Sequence, residues 1–211
     1  MDLSAAFDTV DHAILLRRLE VSYGLGGALS SWCRSYLDGR TQFICCGRLS
    51  SDPTPFICSV PQGSVLRPIF FLLYTDDVLQ LIERYNLHPH GYADDTQVYS
   101  FCSPSSCWEL REQVFACLDE VAFWMRSNRL QLNTSKAEGV WCAISRPQDQ
   151  IPTDPIRVGG DLMSLLTSVR DLGIYLDSDA SMRTHVSKTV SNCFAALRQL
   201  RSIYVSLFLG R

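Results

Sequence analysis

The chain has 211 residues, of which 46% are hydrophobic and 19% charged, and its formal net charge at pH 7 is −3. This composition is typical of one large globular domain, or of one domain and part of a second, and it excludes a disordered chain. The small net charge by itself gives no sign of a nucleic-acid partner.

The first half of the chain predicts helices around a hairpin. Helical periodicity over 11–21 and 29–37 predicts two helices separated by a glycine-rich break. Two β-prone runs, 41–46 and 56–60, are typical of a hairpin. A further helix is predicted over 69–82, and Pro68 lies near its first turn.

The second half predicts another hairpin over 87–101, with its turn at Ala93-Asp94-Asp95, and a long helix over 106–125. Strands follow at 139–145, at a small hairpin turning on Gly159-Gly160, and at 169–176. A last helix from about residue 185 is expected to bury its apolar stripe, Val186, Val190, Phe194 and Leu197.

From residue 183 onwards every charged side chain is basic: Arg183, Lys188, Arg198, Arg201 and Arg211. This stripe predicts either a solvated helix face or a surface that meets phosphates. The nine cysteines include no Cys-x-x-Cys pair, and their odd number predicts reduced, intracellular thiols that fill core positions. The residues that follow Met1 do not predict a leader segment, and no apolar run is long enough to cross a membrane.

The chain contains two Asp-Asp pairs, each beginning two residues after a tyrosine, and their sequence contexts differ. Asp76-Asp77 lies inside a helical pattern, which predicts a solvated helix face. Asp94-Asp95 lies on a hairpin turn, where two neighbouring carboxylates can approach the same ions. Because carboxylates in apolar surroundings are costly unless a cation neutralises them, we interpret Asp94-Asp95 as a metal site. An ordinary polar turn is the alternative from these residues alone.

Three blocks resemble the motifs of reverse transcriptases of non-long-terminal-repeat (LINE-type) retrotransposons, with the family's order and separations. They are Asp2-Leu3-Ser4-Ala5-Ala6-Phe7-Asp8-Thr9-Val10-Asp11-His12, Val60-Pro61-Gln62-Gly63-Ser64-Val65-Leu66 and Tyr92-Ala93-Asp94-Asp95-Thr96. Residues 128–136 resemble the family's lysine-bearing motif, and residues 172–177 its primer-gripping segment. The resemblance covers essentially the whole chain and implies an α+β fold, the reverse-transcriptase palm, in which helices back an antiparallel sheet.

The resemblance implies an RNA-directed DNA polymerase that works by nucleotidyl transfer. Asp2, Asp94 and Asp95 would hold two Mg²⁺ ions, since magnesium prefers hard oxygen ligands. Lys136 would be the general acid for the leaving pyrophosphate, with a solvent-facing lysine as the alternative. The implied partners are an RNA template, a DNA primer and deoxynucleoside triphosphates, without a membrane. A nuclear location would follow from the family's mode of integration.

Three further residues are implied to contact the incoming nucleotide. Phe7 would pack under the sugar and reject a 2′-hydroxyl, whereas composition alone would make it a core aromatic. Gln62 and Gly63 would lie against nucleotide and template, where glycine permits close backbone approach. Arg67 stands where the family usually has glycine, which puts a charged side chain beside this site.

The motif order also predicts how the chain is divided. Residues 1–180 are interpreted as a partial palm without the fingers, and residues 181–211 as a basic helix that starts a thumb. With no strand residues ahead of Met1, Asp2 is expected to fray. An inactive remnant, at most a nucleic-acid-binding fragment, and a fragment that does not fold alone are the alternatives to an active enzyme.

Overall fold

The computed structural model describes residues 1–4, 6–143, 152, 154–204 and 207, and for Asp2 it describes the backbone alone. The chain forms two compact units, which are residues 1–137 with 157–162, and residues 138–156 with 163–211. Ala5, residues 144–145 of the strand predicted over 139–145, and Arg211 lie outside the described residues. The boundary predicted at residue 180 falls within the second unit and stays a prediction.

The described part of the first unit has the four helices that periodicity predicts: α1 (His12–Val21), α2 (Gly27–Leu37), α3 (Leu66–Arg84) and α4 (Cys107–Ser127). Helix α1 packs against α2 and α3, and α3 packs against α4. The largest side chains buried between them are Leu15, Leu19, Leu37, Phe71, Tyr74, Ile82 and Met125. Full burial of each such side chain contributes about 1.5–3 kcal/mol, so this helical core dominates the stability of the unit.

The strands are short. They are β1 (Asp2–Ser4), β2 (Thr41–Gln42), β3 (Cys45–Cys46), β4 (Leu49–Ser50), β5 (Thr54–Pro55), β6 (His88–Tyr92), β7 (Asp95–Tyr99), β8 (Gln131–Asn133), β9 (Ile156–Val158), β10 (Asp161–Met163), β11 (Ser168–Asp171) and β12 (Ile174–Asp177). Strand β1 pairs antiparallel with β8, and β6 with β7. Helix α3 packs on β6 and α4 on β8. Mixed helices and short antiparallel strands make the fold α+β, as predicted.

The first predicted hairpin exists, but its return strand lies earlier than expected. Strand β2 pairs with β5 and β3 with β4, so the strand predicted over 56–60 is wrong. The reason lies at Ser59, which is buried with a φ of +81° and donates its amide to the carbonyl of Val10 at 2.7 Å. A bond to the segment before α1 therefore takes the place of a ladder bond.

In the second unit, β11 and β12 form the hairpin predicted over 169–176, with Asp171 opposite Ile174. Leu172 and Gly173 both have positive φ values, a combination that one common type of two-residue hairpin turn uses. The strand predicted over 139–145 is wrong across its described part, 139–143, where the ladder is reduced to an isolated bridge from Gly139 to Leu165.

Helix α5 (Arg183–Tyr204) confirms the predicted last helix but not its packing. The apolar stripe expected to be buried is exposed, with Val186, Val190, Phe194 and Leu197 between 48% and 60% accessible. Periodicity shows which face of a helix is apolar, but burial also needs a partner surface. The basic residues Arg183, Lys188, Arg198 and Arg201 are exposed as well.

Asp177 caps the start of α5. Its carboxylate accepts hydrogen bonds from the Thr184 amide at 3.0 Å and from the Ser181 hydroxyl at 3.3 Å. Hydrogen bonds from Thr184, followed by a weaker one from Ser181, lower the pKa of Asp177 to about 2. The carboxylate thus stabilises the helix as an anion at its amino-terminal end.

We expect this cap to make α5 sensitive to acid. Because the pKa is lower in the folded than in the unfolded chain, the stabilisation is present above about pH 4 and is lost as the pH falls towards 2. Circular dichroism of an Asp177→Asn variant should show less helix at neutral pH and a smaller loss between pH 4 and 2. Asp171→Asn, on the same hairpin but outside the cap, is the control, and identical acid profiles for all three proteins would contradict the assignment.

The cysteines fill core positions only in part. Cys33, Cys107 and Cys117 are buried, and burial raises the pKa of the Cys117 thiol to about 11. The prediction of core thiols is wrong for the exposed ones, which are Cys45, Cys46, Cys102, Cys142 and Cys193. Among the helices that the structure describes, none is both long and apolar enough to cross a membrane.

Candidate active site

Strand β1 carries the first predicted metal ligand, and its backbone is held on both sides. Asp2 lies opposite Asn133 of β8. On the other side, the Met1 amino group donates to the Thr96 carbonyl at 2.7 Å, and the Thr96 amide donates to the Met1 carbonyl at 2.9 Å. The fraying expected at Asp2 is therefore contradicted for the backbone.

These reciprocal bonds set the register between β1 and the second hairpin. A residue pair that exchanges both backbone hydrogen bonds belongs to an antiparallel ladder, in which the neighbouring pair lies directly opposite. The backbone of Asp2 therefore lies opposite that of Asp95. Strands β6 and β7 form one two-stranded sheet and β1 and β8 another, and the Met1–Thr96 bonds join the two at β7 and the start of β1. The first and third sequence motifs therefore lie side by side.

The hairpin turn consists of Ala93 and Asp94, because Tyr92 pairs with Asp95 in the ladder. Ala93 has a φ of +54°, a conformation that is uncommon for residues with a side chain. Asp94 is half-buried in the turn and Asp95, the first residue of β7, is exposed, while Thr96 behind them is buried. The predicted turn is confirmed, one residue shorter than expected.

The two described carboxylates offer the hard oxygen atoms that Mg²⁺ prefers. No group of three or more His, Cys, Asp or Glu side chains able to hold a metal forms among the described residues, which do not include the side chain of Asp2. Asp94 and Asp95 carry oxygen atoms of the kind that a divalent metal binds, and their role as ligands stays a prediction. The register supplies a third acidic position at Asp2.

Lys136 lies close along the chain to the partner of Asp2. It ends a short 3-10 helix, Thr134–Lys136, that begins directly after Asn133 in β8. The Ser135 hydroxyl donates to the Asn133 side chain at 2.7 Å, which fixes the start of this turn. Lys136 itself is exposed to solvent.

Phe7 lies in a 3-10 helix, Ala6–Asp8, that follows β1. Its half-buried ring contacts the ring of Phe71 in α3, with centroids 4.4 Å apart. The guanidinium carbon of Arg67 lies 4.8 Å from the Phe7 ring centroid, and Arg67 also forms an ion pair with Asp8 at 3.0 Å. Phe7 is therefore neither a fully buried core aromatic nor a free surface ring.

Gln62 and Gly63 are exposed in a tight turn before α3. The Ser64 amide donates to the Pro61 carbonyl at 3.2 Å, and Gly63 has a φ of +76°, which a β-carbon would disfavour. The Nε2 atom of His12 lies within 2.6 Å of the Ser59 carbonyl oxygen. This contact joins His12, the first residue of α1, to the residue that directly precedes the 60–66 motif. The 60–66 motif is therefore held next to the 2–12 motif.

The other acidic pair has a structural role that its sequence did not reveal. Asp77 forms an ion pair with Arg18 at 2.9 Å, and Asp76 accepts a hydrogen bond from Gln80 at 2.8 Å. Burial, and then the nearby charge of Asp76, raises the pKa of Tyr23 to about 12. The helical placement is confirmed, whereas the description as a merely solvated face is wrong for Asp77.

Sequence reasoning missed the residues that connect the motifs, chiefly Thr96, Asn133, Asp8 and Arg18. Thr96, Asn133 and Asp8 lie within the sequence motifs, but each of the four residues acts through a partner far away in the sequence, so no local pattern reveals the contact. Arg67 alone gave a signal, as a charged residue in the place of a glycine.

Comparisons with known proteins identify the family of the chain. The profile of the family described as reverse transcriptase (RNA-dependent DNA polymerase) matches residues 1–176. The chain is 26% identical over 208 residues to a probable RNA-directed DNA polymerase from transposon BS of Drosophila melanogaster, covering 95% of this chain and 22% of the relative.

Two further relatives are RNA-directed DNA polymerases from the mobile element jockey. The protein of Drosophila funebris is 28% identical over 195 residues and that of Drosophila melanogaster 24% over 193, each match covering 89% of this chain and 20% of the relative. The chain thus spans about a fifth of the length of the curated relatives it matches. Members of the family use divalent metal ions and nucleic-acid templates. The chain belongs to the reverse transcriptase family, as a reverse transcriptase domain of the LINE type.

Proposed function

We propose that this chain is the catalytic palm of an enzyme that copies RNA into DNA. The observation that supports this most strongly is the reciprocal pairing of Met1 with Thr96, which brings the strand of Asp2 beside the Asp94-Asp95 hairpin. Through this pairing, acidic residues 92 positions apart in the sequence, Asp2 and Asp94, lie on neighbouring segments, as a shared metal site would require. The relatives' names state the same activity for proteins much longer than this chain.

Asp2, Asp94 and Asp95 would hold two Mg²⁺ ions through their carboxylate oxygens. When bound, the ions supply charge stabilisation to the attacking 3′-hydroxyl and to the departing pyrophosphate. The protein's own contribution is to hold Asp2 and Asp95 on paired strands and Asp94 in the tight turn of a hairpin, because ligands on regular elements are positioned more precisely than ligands on a mobile loop. The family match supports metal use in general, and the number of ions is part of the proposal.

Lys136 would supply a proton to the leaving group. In the reaction the primer 3′-hydroxyl loses its proton to water as its oxygen bonds to the α-phosphorus of the nucleotide, the bond from that phosphorus to the bridging oxygen breaks, and pyrophosphate departs. A lysine ammonium near the departing oxygen can protonate it as negative charge develops. Lys136 lies in the turn after β8, the strand paired with β1, which is consistent with this role.

The remaining motif residues would bind the substrates. Phe7 would pack under the sugar, and Gln62 and Gly63 would contact the nucleotide and template. The β11–β12 hairpin would grip the DNA primer, and the exposed basic residues of α5 would meet phosphates. Within this proposal residues 1–180 form the palm and residues 181–211 start a thumb.

Primer extension on a poly(rA)/oligo(dT) hybrid tests the proposal directly. We expect incorporation of dTMP that depends on added Mg²⁺ and stops when the ion is chelated. The proposed polymerase activity would be refuted by a sample that circular dichroism shows to be folded and that incorporates no dTMP over a full titration of Mg²⁺ and Mn²⁺. The same sample would then be tested for hybrid binding against salt, since phosphate contacts must weaken as salt rises.

A further inference from the structure

Arg67 makes two contacts that converge on the predicted sugar gate. Its guanidinium lies over the Phe7 ring, 4.8 Å from the centroid, and its Nη2 atom donates to the Asp8 carboxylate at 3.0 Å. The Arg67 side chain is only 16% exposed, although the Asp8 side chain is 67% exposed. A long cationic side chain is thus drawn into a defined position beside Phe7.

The neighbours of Asp8 fix the other end of this arrangement. The Ser59 hydroxyl lies within 3.5 Å of the Asp8 carboxylate, and the Cys58 thiol donates to the Asp8 carbonyl at 3.3 Å. Asp8 is thereby tied to the chain that leads into the turn of Gln62 and Gly63. Arg67 stands at the start of α3, on the far side of the same turn. The Arg67–Asp8 ion pair therefore links the segment that follows the 60–66 motif to the 2–12 motif, directly beside the Phe7 ring.

We propose that Arg67 is a positioning residue that holds the Phe7 ring against Phe71, and that this clamp sets the discrimination between deoxyribo- and ribonucleoside triphosphates. The inference rests on the proposed function and deepens it. A gate that excludes a single hydroxyl group works only if the aromatic ring cannot move away. The planar guanidinium contributes because it can stack on the ring and pair with Asp8 at the same time, which an ammonium group cannot do.

The test compares kcat/KM for dTTP and for UTP on the poly(rA)/oligo(dT) hybrid. We expect Arg67→Ala to lower the ratio of the two values about tenfold, through a gain in UTP incorporation, as loss of one hydrophobic pocket contact typically does. Arg67→Lys should restore the ratio only partly. Phe7→Ala should lower it further, and the double variant should be no less selective than Phe7→Ala alone, because the clamp acts only through the ring.

Arg111 offers a matched control in the same unit. It is 14% exposed, pairs with Glu112 at 3.3 Å, and lies over the Phe115 ring at 4.3 Å, so its contacts are of the same kind. Arg111→Ala should leave the dTTP-to-UTP ratio unchanged. A merely structural role of Arg67 would lower both kcat/KM values together and leave the ratio as it was, which would overturn the clamp.

A second measurement is independent of catalysis. With 4-fluorophenylalanine incorporated at position 7, Arg67→Ala should shift and sharpen the fluorine resonance as the ring gains freedom, whereas Arg111→Ala should not. An unchanged resonance overturns the clamp whether or not the protein is active. An inactive, folded wild-type protein overturns the proposed function and with it the role in sugar choice. A selective wild type whose ratio survives Arg67→Ala overturns the clamp alone.

Discussion

Replacing Asp94 by alanine is expected to lower primer extension at least about a thousandfold, equivalent to ~4 kcal/mol of transition-state stabilisation. Asp94 occupies the two-residue turn between β6 and β7, half-buried and followed directly by Asp95. Removing one carboxylate from a set of three leaves the proposed ions with fewer hard oxygen ligands. Because a turn residue adds little to the core, the fold should persist. Steady-state incorporation of dTMP, with circular dichroism on the same samples, measures both effects.

The other acidic pair supplies the control for this experiment. Asp76 also lies in a Tyr-x-Asp-Asp sequence, but on α3, where it accepts a hydrogen bond from Gln80. Asp76→Ala should retain activity close to that of the wild type. Asp94→Asn, which keeps the shape of the side chain without its charge, should be nearly as inactive as Asp94→Ala. Equal losses for Asp76→Ala and Asp94→Ala would contradict the assignment of the catalytic pair.

Replacing Arg18 by methionine is expected to lower the free energy of unfolding of the first unit by about 3 kcal/mol. The Arg18 side chain is 11% exposed, pairs with Asp77, and donates to the Tyr74 carbonyl at 2.6 Å and to the Asn128 side chain at 2.8 Å. Its guanidinium also lies 4.9 Å from the centroid of the Trp124 ring. Methionine keeps the stem of the side chain but removes every one of these bonds.

Arg17 provides the comparison, since it is exposed on the same helix. Arg17→Met should change the free energy of unfolding by no more than about 0.5 kcal/mol, as is usual for surface positions. Urea denaturation followed by tryptophan fluorescence gives the magnitudes, and hydrogen exchange in α1, α3 and α4 would locate the loss. The loss of stability is smaller than for a fully buried ion pair because the Asp77 side chain is 41% exposed and can be rehydrated. A similar loss in both variants would mean that Arg18 does not join the helices.

Local patterns predicted the elements whose stability depends on near neighbours. The helical period in α3 and α4 identified a face that is buried, since both helices have partners within the first unit. The Asp94-Asp95 hairpin was predicted because a tight turn between two extended segments is a local feature. The same period in α5 predicted the helix correctly and its burial wrongly, because an apolar stripe does not specify what covers it.

Strand pairing was less predictable from the sequence. The apolar run 56–60 has high β propensity, yet β2 pairs with Thr54 and Pro55 instead. Ser59 and Val60 are buried at the junction with the first motif. β propensity reflects a half-buried surface and leaves the choice of partner open.

The sequence by itself determined the family, the motif residues and the positions of the helices, because each of these is recognisable from residues close together in the sequence. Only the tertiary structure decided that Met1 pairs with Thr96, that Arg18 pairs with Asp77, and that Arg67 lies over Phe7. The partners in these contacts are separated by between 59 and 95 residues. Contacts of such separation depend on the path of the whole chain, which its packed helices and paired strands fix and no local sequence pattern specifies.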